Sequence, residues 1–379
     1  MTARSPWHVP DAGFAPGHLA YLREVVAALP GSDGVLAAIG AGSRAAGLAH
    51  HRSDLDVILV FGTEAGRDAC DTGAGTGTGR RGRGMPALDL MKITIADLER
   101  ARDTAAARAA PVREIPRPAY MLGSFRDWAL LTRLVTGRVL FAGDRVRGLL
   151  DSLDRAALRR DVMTHSALCL AALVEDVAGA AECGDLATAL AASEEGLRMS
   201  LDAALAGRDD LWVGRKFLQR RMARHPFLAD LLNACGHRMF GQPSAAFDGP
   251  LVRDTIRWRL ELAGHLLVHA LLSAWERPVA DLPPFVPAGS GPVRDPCHAP
   301  VRWAGGAGLM VGVDLVHPLD EEGLLLWSLC DGRGPDDVAA RFAARTPARP
   351  PGARSFALRT LSDWRARGIL LDERPAHLP

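Results

Sequence analysis

The run Leu55-Asp56-Val57-Ile58-Leu59-Val60-Phe61 is apolar and rich in β-branched residues at every position but one, and that one is an aspartate. Such a run reads as a buried strand. Side chains alternate along a strand, so Asp54, two residues earlier, points the same way as Asp56. Two carboxylates held close on one face each raise the other's pKa, which makes the pair poor for folding. A divalent cation removes that penalty. Mg²⁺ takes one or two protein carboxylates and fills the rest of its octahedron with water and phosphate oxygens, which is what this pair offers.

Upstream, Gly34-Val35-Leu36-Ala37-Ala38-Ile39 reads as a second buried strand, ending at Gly40-Ala41-Gly42-Ser43 before a short helical stretch. Free backbone N–H groups at a helix start suit a triphosphate. A third strand-like run, Ala87 to Ile95, carries Asp89 as its only acid. If it pairs beside the Asp54 and Asp56 strand, Asp89 can bridge a second metal or take the proton of an attacking hydroxyl.

Two plainer readings compete. The glycines from Gly40 to Gly42 also fit a dinucleotide-binding turn. That turn needs a long amphipathic helix after it, whereas Gly47 and the polar His50-His51-Arg52-Ser53 follow within a dozen residues. A solvated turn explains Ser53 and Asp54, but not Asp56 or Asp89 inside apolar runs.

Gly42-Ser43, then Ser53-Asp54-Leu55-Asp56, then Asp89 on a later strand, in that order, resemble the nucleotidyltransferase fold of the DNA polymerase β superfamily, particularly its small bacterial and antibiotic-modifying members. The motif covers about the first third of the chain. The resemblance implies that Gly42 and Ser43 contact the nucleotide phosphates, that Asp54 and Asp56 bind Mg²⁺, and that Asp89 is the third carboxylate. Ala46 stands where many small relatives carry arginine, a departure that removes a phosphate or substrate contact.

A chain of 379 residues is too long for one ordinary core and suggests two or three domains. Its 45 basic and 44 acidic residues give a net charge of +1, so no global field draws it to nucleic acid or membrane. Cys70, Cys169, Cys183, Cys235, Cys297 and Cys330 are scattered, with no zinc spacing, as expected of free thiols in a reducing cytosol. The N-terminal residues lack an apolar signal core and no run approaches a membrane span, so a cytoplasmic protein is expected.

The predicted class is α+β: a nucleotidyltransferase-type mixed sheet over residues 1–118, a helical bundle over 119–278 completing the substrate cleft, a Pro/Gly-rich linker over 279–297, and a small winged-helix domain over 298–379. Residues 17 to 29 have helical spacing, with Pro30-Gly31 as the stop. The Gly-rich segment 71 to 84 reads as a disordered hairpin insertion, with a phosphate-cradling loop as the alternative, and Arg80, Arg81 and Arg83 are its candidates to fold over substrate. Apolar stripes at Leu130, Leu131, Leu134 and Val135, at Leu168 to Val174 and along Leu251 to Leu272 mark bundle helices. Residues 136 to 144 resemble the connection that leads into such a bundle.

Within the bundle, Glu194 and Glu195 offer a base or, more simply, a solvated face. The run Arg215 to Arg221 is a basic face, and Lys216, one of only two lysines, is a candidate partner for the triphosphate of ATP. His265 and His269 share i, i+4 spacing but lack a third ligand, which favours core histidines over zinc.

Beyond the linker, Val301 to Trp303 and Leu309 to Val316 read as strands, and three short helices follow, the first capped by Asp320. Leu326 to Arg333, with Val338, Ala339, Phe342, Leu361, Trp364 and Gly368-Ile369-Leu370, resembles the PqqD-like family, the peptide-recognition elements of ribosomal peptide (RiPP) pathways. The resemblance covers about 75 residues. It implies a precursor peptide whose leader adds as a strand near Leu309 to Val316 and lies against the third helix. A DNA-binding winged helix is the alternative, although the third helix, with Arg354, Arg359, Arg365 and Arg367, lacks a clear groove-reading face. Together the two resemblances imply transfer of AMP from ATP to a peptide hydroxyl. A small-molecule adenylyltransferase and an inactive peptide chaperone remain the rivals.

Overall fold

The computed structural model describes residues 13–28, 34–70, 86–109, 125–212, 214–241, 249–285, 289, 291–312, 314–346 and 352–372. The Gly-rich segment 71–84 lies outside them. The class is α+β: a mixed sheet, a helical region and two small sheets. Two compact units divide the chain: Met1–Ala109, Leu122–Leu158 and Leu211–Ala223 form one, and the remaining segments the other.

The first unit is built on β1 (Val35–Ala41), β2 (Leu55–Phe61), β3 (Leu88–Thr94) and β4 (Arg138–Ala142), in the order β3-β2-β1-β4. β1 runs antiparallel to β2 and β4, and β2 runs parallel to β3. One face of the sheet is closed by α1 (Pro16–Ala27), whose Leu22 and Val26 pack with Leu55, Val57, Leu59, Phe61, Leu88 and Leu140. Burying side chains of this size stabilises by about 1.5–3 kcal/mol each. Because the pleat alternates, putting Leu55, Val57, Leu59 and Phe61 on that face sends Asp56 to the other. Also in this unit are the single turn α2 (Gly42–Ala45), α3 (Glu64–Ala69), α4 (Ile95–Ala109), α5 (Phe125–Val135) and α6 (Asp144–Asp151).

Residues 138–142 are a strand not foreseen from the sequence. They form β4, whose Ile39↔Val139 and Ala38↔Phe141 pairs complete the sheet edge, before the chain runs on through α6 into the long helix at Arg155–Glu182. The run Arg-Val-Leu-Phe-Ala is short but alternating, and its one buried residue, Leu140, joins the α1 core.

The second unit contains most of α7 (Arg155–Glu182), then α8 (Leu186–Ala206), α10 (Pro226–Phe240) and α11 (Pro250–Ser273); the short α9 (Leu218–Met222) belongs to the first. α7 is long and apolar enough to cross a membrane by length and composition, which the sequence reading did not anticipate, and half of its apolar window is buried. The buried Arg259 of α11 donates to the carbonyls of Arg238, Leu190 and Gly241 and so ties α11 to α8 and to the end of α10.

His265 and His269 sit in this core, edge to face with ring centroids 4.5 Å apart, and His265 Nε2 lies 2.8 Å from the carbonyl of Pro283. The plainer expectation of core histidines describes them.

After the linker come β5 (Val293–Arg294), β6 (Ala299–Trp303), β7 (Gly306–Val311) and β8 (Asp314–Leu319), then α12 (Glu321–Ser328), α13 (Pro335–Arg345), α14 (Ala353–Ala366) and β9 (Leu370–Leu371). Where one strand was expected from Leu309 to Val316, there are two, reversed at Gly312, whose φ of +58° favours glycine. Asp320 caps α12 by accepting the N–H of Gly323, as expected. The sheet order is β6-β7-β8. The bundle covers β6: Thr164 Oγ1 donates to the Arg302 carbonyl, and Arg302 Nη1 donates to that of Leu271. Among the described residues β8 pairs on one side only.

Burial holds the His265 imidazole down to about 3 and His269 well below its usual value. Both are neutral in the fold and protonate in the unfolded chain near pH 6.5, so the stability this provides is whole above pH 6.5 and drains as pH falls. Each shifted histidine contributes a slope of about 1.4 kcal/mol per pH unit in that window. Urea unfolding between pH 6.5 and 4.5 is therefore expected to show a shallower pH slope in His269→Leu than in the parent chain.

Candidate metal and phosphate site

Strand register brings the acids together. Asp56 of β2 is paired with Asp89 of β3 in parallel register, which puts both side chains on one face, and Asp54 shares that face from just before β2. One carboxylate oxygen from each of Asp54, Asp56 and Asp89 lies within 4.8 Å of the others, and all three residues are partly buried. An all-oxygen donor set of this size suits a hard divalent cation such as Mg²⁺.

Gly42 makes room for the cluster. It has φ of +68°, and a Cβ at this position would lie 1.9 Å from Asp56 Oδ2. A side chain here would displace the central carboxylate. Gly42 thus lies beside the triad at the start of α2, with Ser43 next in the chain; α2 is one turn long, so a helix dipole adds little there. Ser43 is nearly buried, at 7% exposure.

Burial is the main cause that pushes the Asp56 carboxyl up to about 6, and its neighbours Asp54 and Asp89 push it the same way. Arg133 and Lys216 oppose them. Arg133 comes from α5, with Nη1 3.9 Å from Met91 Sδ on β3. Lys216 comes from the 3₁₀ turn Arg215–Phe217, where its ammonium sits 5.2 Å from the Phe217 ring centroid. Among the described residues neither cation has a carboxylate at ion-pair distance. Two such charges beside three carboxylates are what a bound polyanion would answer.

The Arg215 to Arg221 run is joined to this site by tertiary packing. Arg220 Nη1 donates to the Leu48 carbonyl, and Nη2 lies 3.5 Å from that of Ala49, in the loop that leads to Asp54. Glu194 and Glu195 belong to the helical unit. Glu194 pairs with Arg198 at 2.5 Å and lies 4.0 Å from Arg259, which makes it a structural ion pair. Sequence reasoning singled out Lys216 but missed Arg133 and Arg44. An arginine inside the apolar stripe Leu130, Leu131, Leu134 was the available signal for Arg133.

No protein-family model and no curated protein matches the chain. Among solved structures, it is similar to a nucleotidyltransferase-like protein from Exiguobacterium sibiricum 255-15, at 11% identity and a TM-score of 0.34, over 66% of this chain and 74% of that one. Likeness at this level bears on neither chemistry nor substrate, and the functional reading rests on the site itself.

Asp56 bears a neutral carboxyl in the folded, metal-free chain up to about pH 6, against 3.8 ordinarily. The metal-free protein therefore loses stability as pH rises through that window. Asp56→Asn is expected to raise the Tm of the metal-free chain at pH 7.5 by a few degrees while abolishing Mn²⁺ binding, measured by calorimetry and by electron paramagnetic resonance. Gly42→Ala is expected to cost more than the ~1–2 kcal/mol of a left-handed alanine, because its methyl also displaces Asp56, and chemical denaturation measures this.

Proposed function

We propose that this chain is a Mg²⁺-dependent nucleotidyltransferase that moves AMP from ATP to a hydroxyl of a peptide held by its C-terminal module. The observation that carries the transferase reading is the convergence of Asp54, Asp56 and Asp89 beside a glycine that only a missing side chain allows. Arg133 and Lys216 support a triphosphate as the donor. The choice of adenine rests on the family resemblance.

Asp54 and Asp56 would hold the cation, with Asp89 completing the oxygen set. When bound, Mg²⁺ supplies charge neutralisation at the transferring phosphoryl group and orients its oxygens. The chain's own residues do the rest. Lys216 and Arg133 bind the β- and γ-phosphates and offset the charge that grows on them as pyrophosphate leaves. The acceptor oxygen forms its bond to the α-phosphorus as the bond to pyrophosphate breaks, and Asp89 accepts the hydroxyl proton.

The peptide half of the reading is supported by the side of β8 that pairs with no strand among the described residues. An extended peptide satisfies a row of backbone groups by adding a strand there, whereas on β6 the Arg302 carbonyl already accepts from Thr164. His317 of β8 accepts a hydrogen bond from Arg367, just past α14, at 2.8 Å, which sets that helix end close to the edge.

Incubation of the full chain with ATP, Mg²⁺ and a precursor peptide encoded beside its gene is expected to add one AMP to the peptide by mass spectrometry, and Asp56→Asn to remove the product. AMP transfer to an aminoglycoside or lincosamide, with no peptide bound by the full chain, would replace the peptide acceptor by a small molecule. Peptide binding without nucleotide binding would leave a chaperone and overturn the transferase reading.

A further inference from the structure

Behind the carboxylates lies a buried arginine that the transfer chemistry does not use. Arg44 of α2 is 3% exposed. Its Nε donates to the carbonyls of Ser53 and Asp54, each at 3.1 Å, and its Nη2 donates to that of Ser53 at 2.6 Å. Nη2 also lies 3.4 Å from the carbonyls of His50 and His51. One guanidinium therefore gathers the backbone of the whole turn between His50 and Asp54. Ser53 Oγ closes the turn from the other side by accepting the N–H of His50 at 3.0 Å.

The placement matters for two reasons. A carbonyl-lined turn gives Asp54 no ladder of its own, because β2 begins only at Leu55. Its direction relative to Asp56 is set by whatever fixes the turn. Moreover, the clamp is a permanent cation at neutral pH, and the carboxylates of Asp54 and Asp56 both interact with its charge. A lysine keeps the charge and loses the planar fork, so it cannot reach several diverging carbonyls at once.

The geometry points to Arg44 as a positioning residue of the metal site: by clamping residues 50–54 from beneath, it fixes Asp54 against Asp56 and Asp89 without touching metal or substrate. This rests on the proposed metal-dependent transferase for its purpose, and on the hydrogen bonds alone for its mechanics.

Two measurements on the full chain separate these. Amide hydrogen exchange in the metal-free protein reads the clamp, and Mn²⁺ affinity by electron paramagnetic resonance reads the site. Arg44→Lys is expected to speed exchange in residues 50–54 by about tenfold or more, to leave residues 35–41 and 57–61 protected, and to weaken Mn²⁺ by about 10–100-fold, the usual cost of losing an outer-shell partner. Unchanged Mn²⁺ affinity, or exchange lost equally across the sheet, overturns the proposal. Should Arg44→Lys fail to fold, the unmutated metal-free chain still tests the clamp: amides of residues 50–54 are expected to be protected well beyond an open loop, and free exchange across them overturns the proposal. If the unmutated chain binds no Mn²⁺, both the metal-positioning role and the transferase reading fall. If Mn²⁺ binds and weakens in Arg44→Lys but no AMP is transferred to any acceptor, only the transferase reading falls.

Discussion

Everything at the site depends on a parallel pairing of two strands that each carry an acid. The β2–β3 register sets Asp56 directly beside Asp89, and Asp54 joins them from the turn before β2. Parallel pairs need long connections, and the chain spends residues 62–87 on returning to the same edge direction. The apolar alternate residues of β2 make the arrangement stable. Leu55, Val57, Leu59 and Phe61 anchor one face against α1, so the acids are forced out on the other and cannot relax by a one-residue slip. A charged cluster is thus held by hydrophobic burial on the reverse side of the same strand.

Arginine is the second recurrent device. The chain has only two lysines, and one of them, Lys92, donates to the Cys70 carbonyl at 3.0 Å. Guanidiniums tie backbone carbonyls throughout: Arg44 and Arg220 around the carboxylate loop, Arg159 to Ala274 and Glu276, Arg259 among three helices, Arg302 between the C-terminal sheet and α11. A planar fork with several donors serves converging carbonyls better than a single ammonium does. The remaining lysine, Lys216, stands beside the carboxylates, where a compact charge suits a phosphate.

Much of this was legible in the chain. β2 matches its expected residues, and α1, β1 and β3 fall within a few residues of expectation, because buried strands and amphipathic helices write their periods directly into apolar spacing. The strand at residues 138–142 was not foreseen, because a five-residue edge strand carries too few alternations to stand out beside a helical stripe. The hairpin at Gly312 was hidden for the opposite reason: two apolar strands joined by a tight turn look like one run. The i, i+4 pair His265 and His269 has the spacing of a metal site, but the want of a third ligand favoured core histidines, and both are buried.

The sequence by itself determined the three carboxylates and their strand-like runs, since each is a local consequence of residue type and period; that Gly42 faces Asp56 came with the β1–β2 pairing. Tertiary structure alone decided which distant groups meet them. Arg133 on α5 and Lys216 on the turn before α9, about 40 to 160 residues from the acids, are brought to Asp56 by packing, and Arg44 finds its carbonyls only once the turn at residues 50–54 folds over it. A charge carries no spacing signal toward a partner elsewhere in the chain. Its role is fixed by what the folded backbone places opposite it.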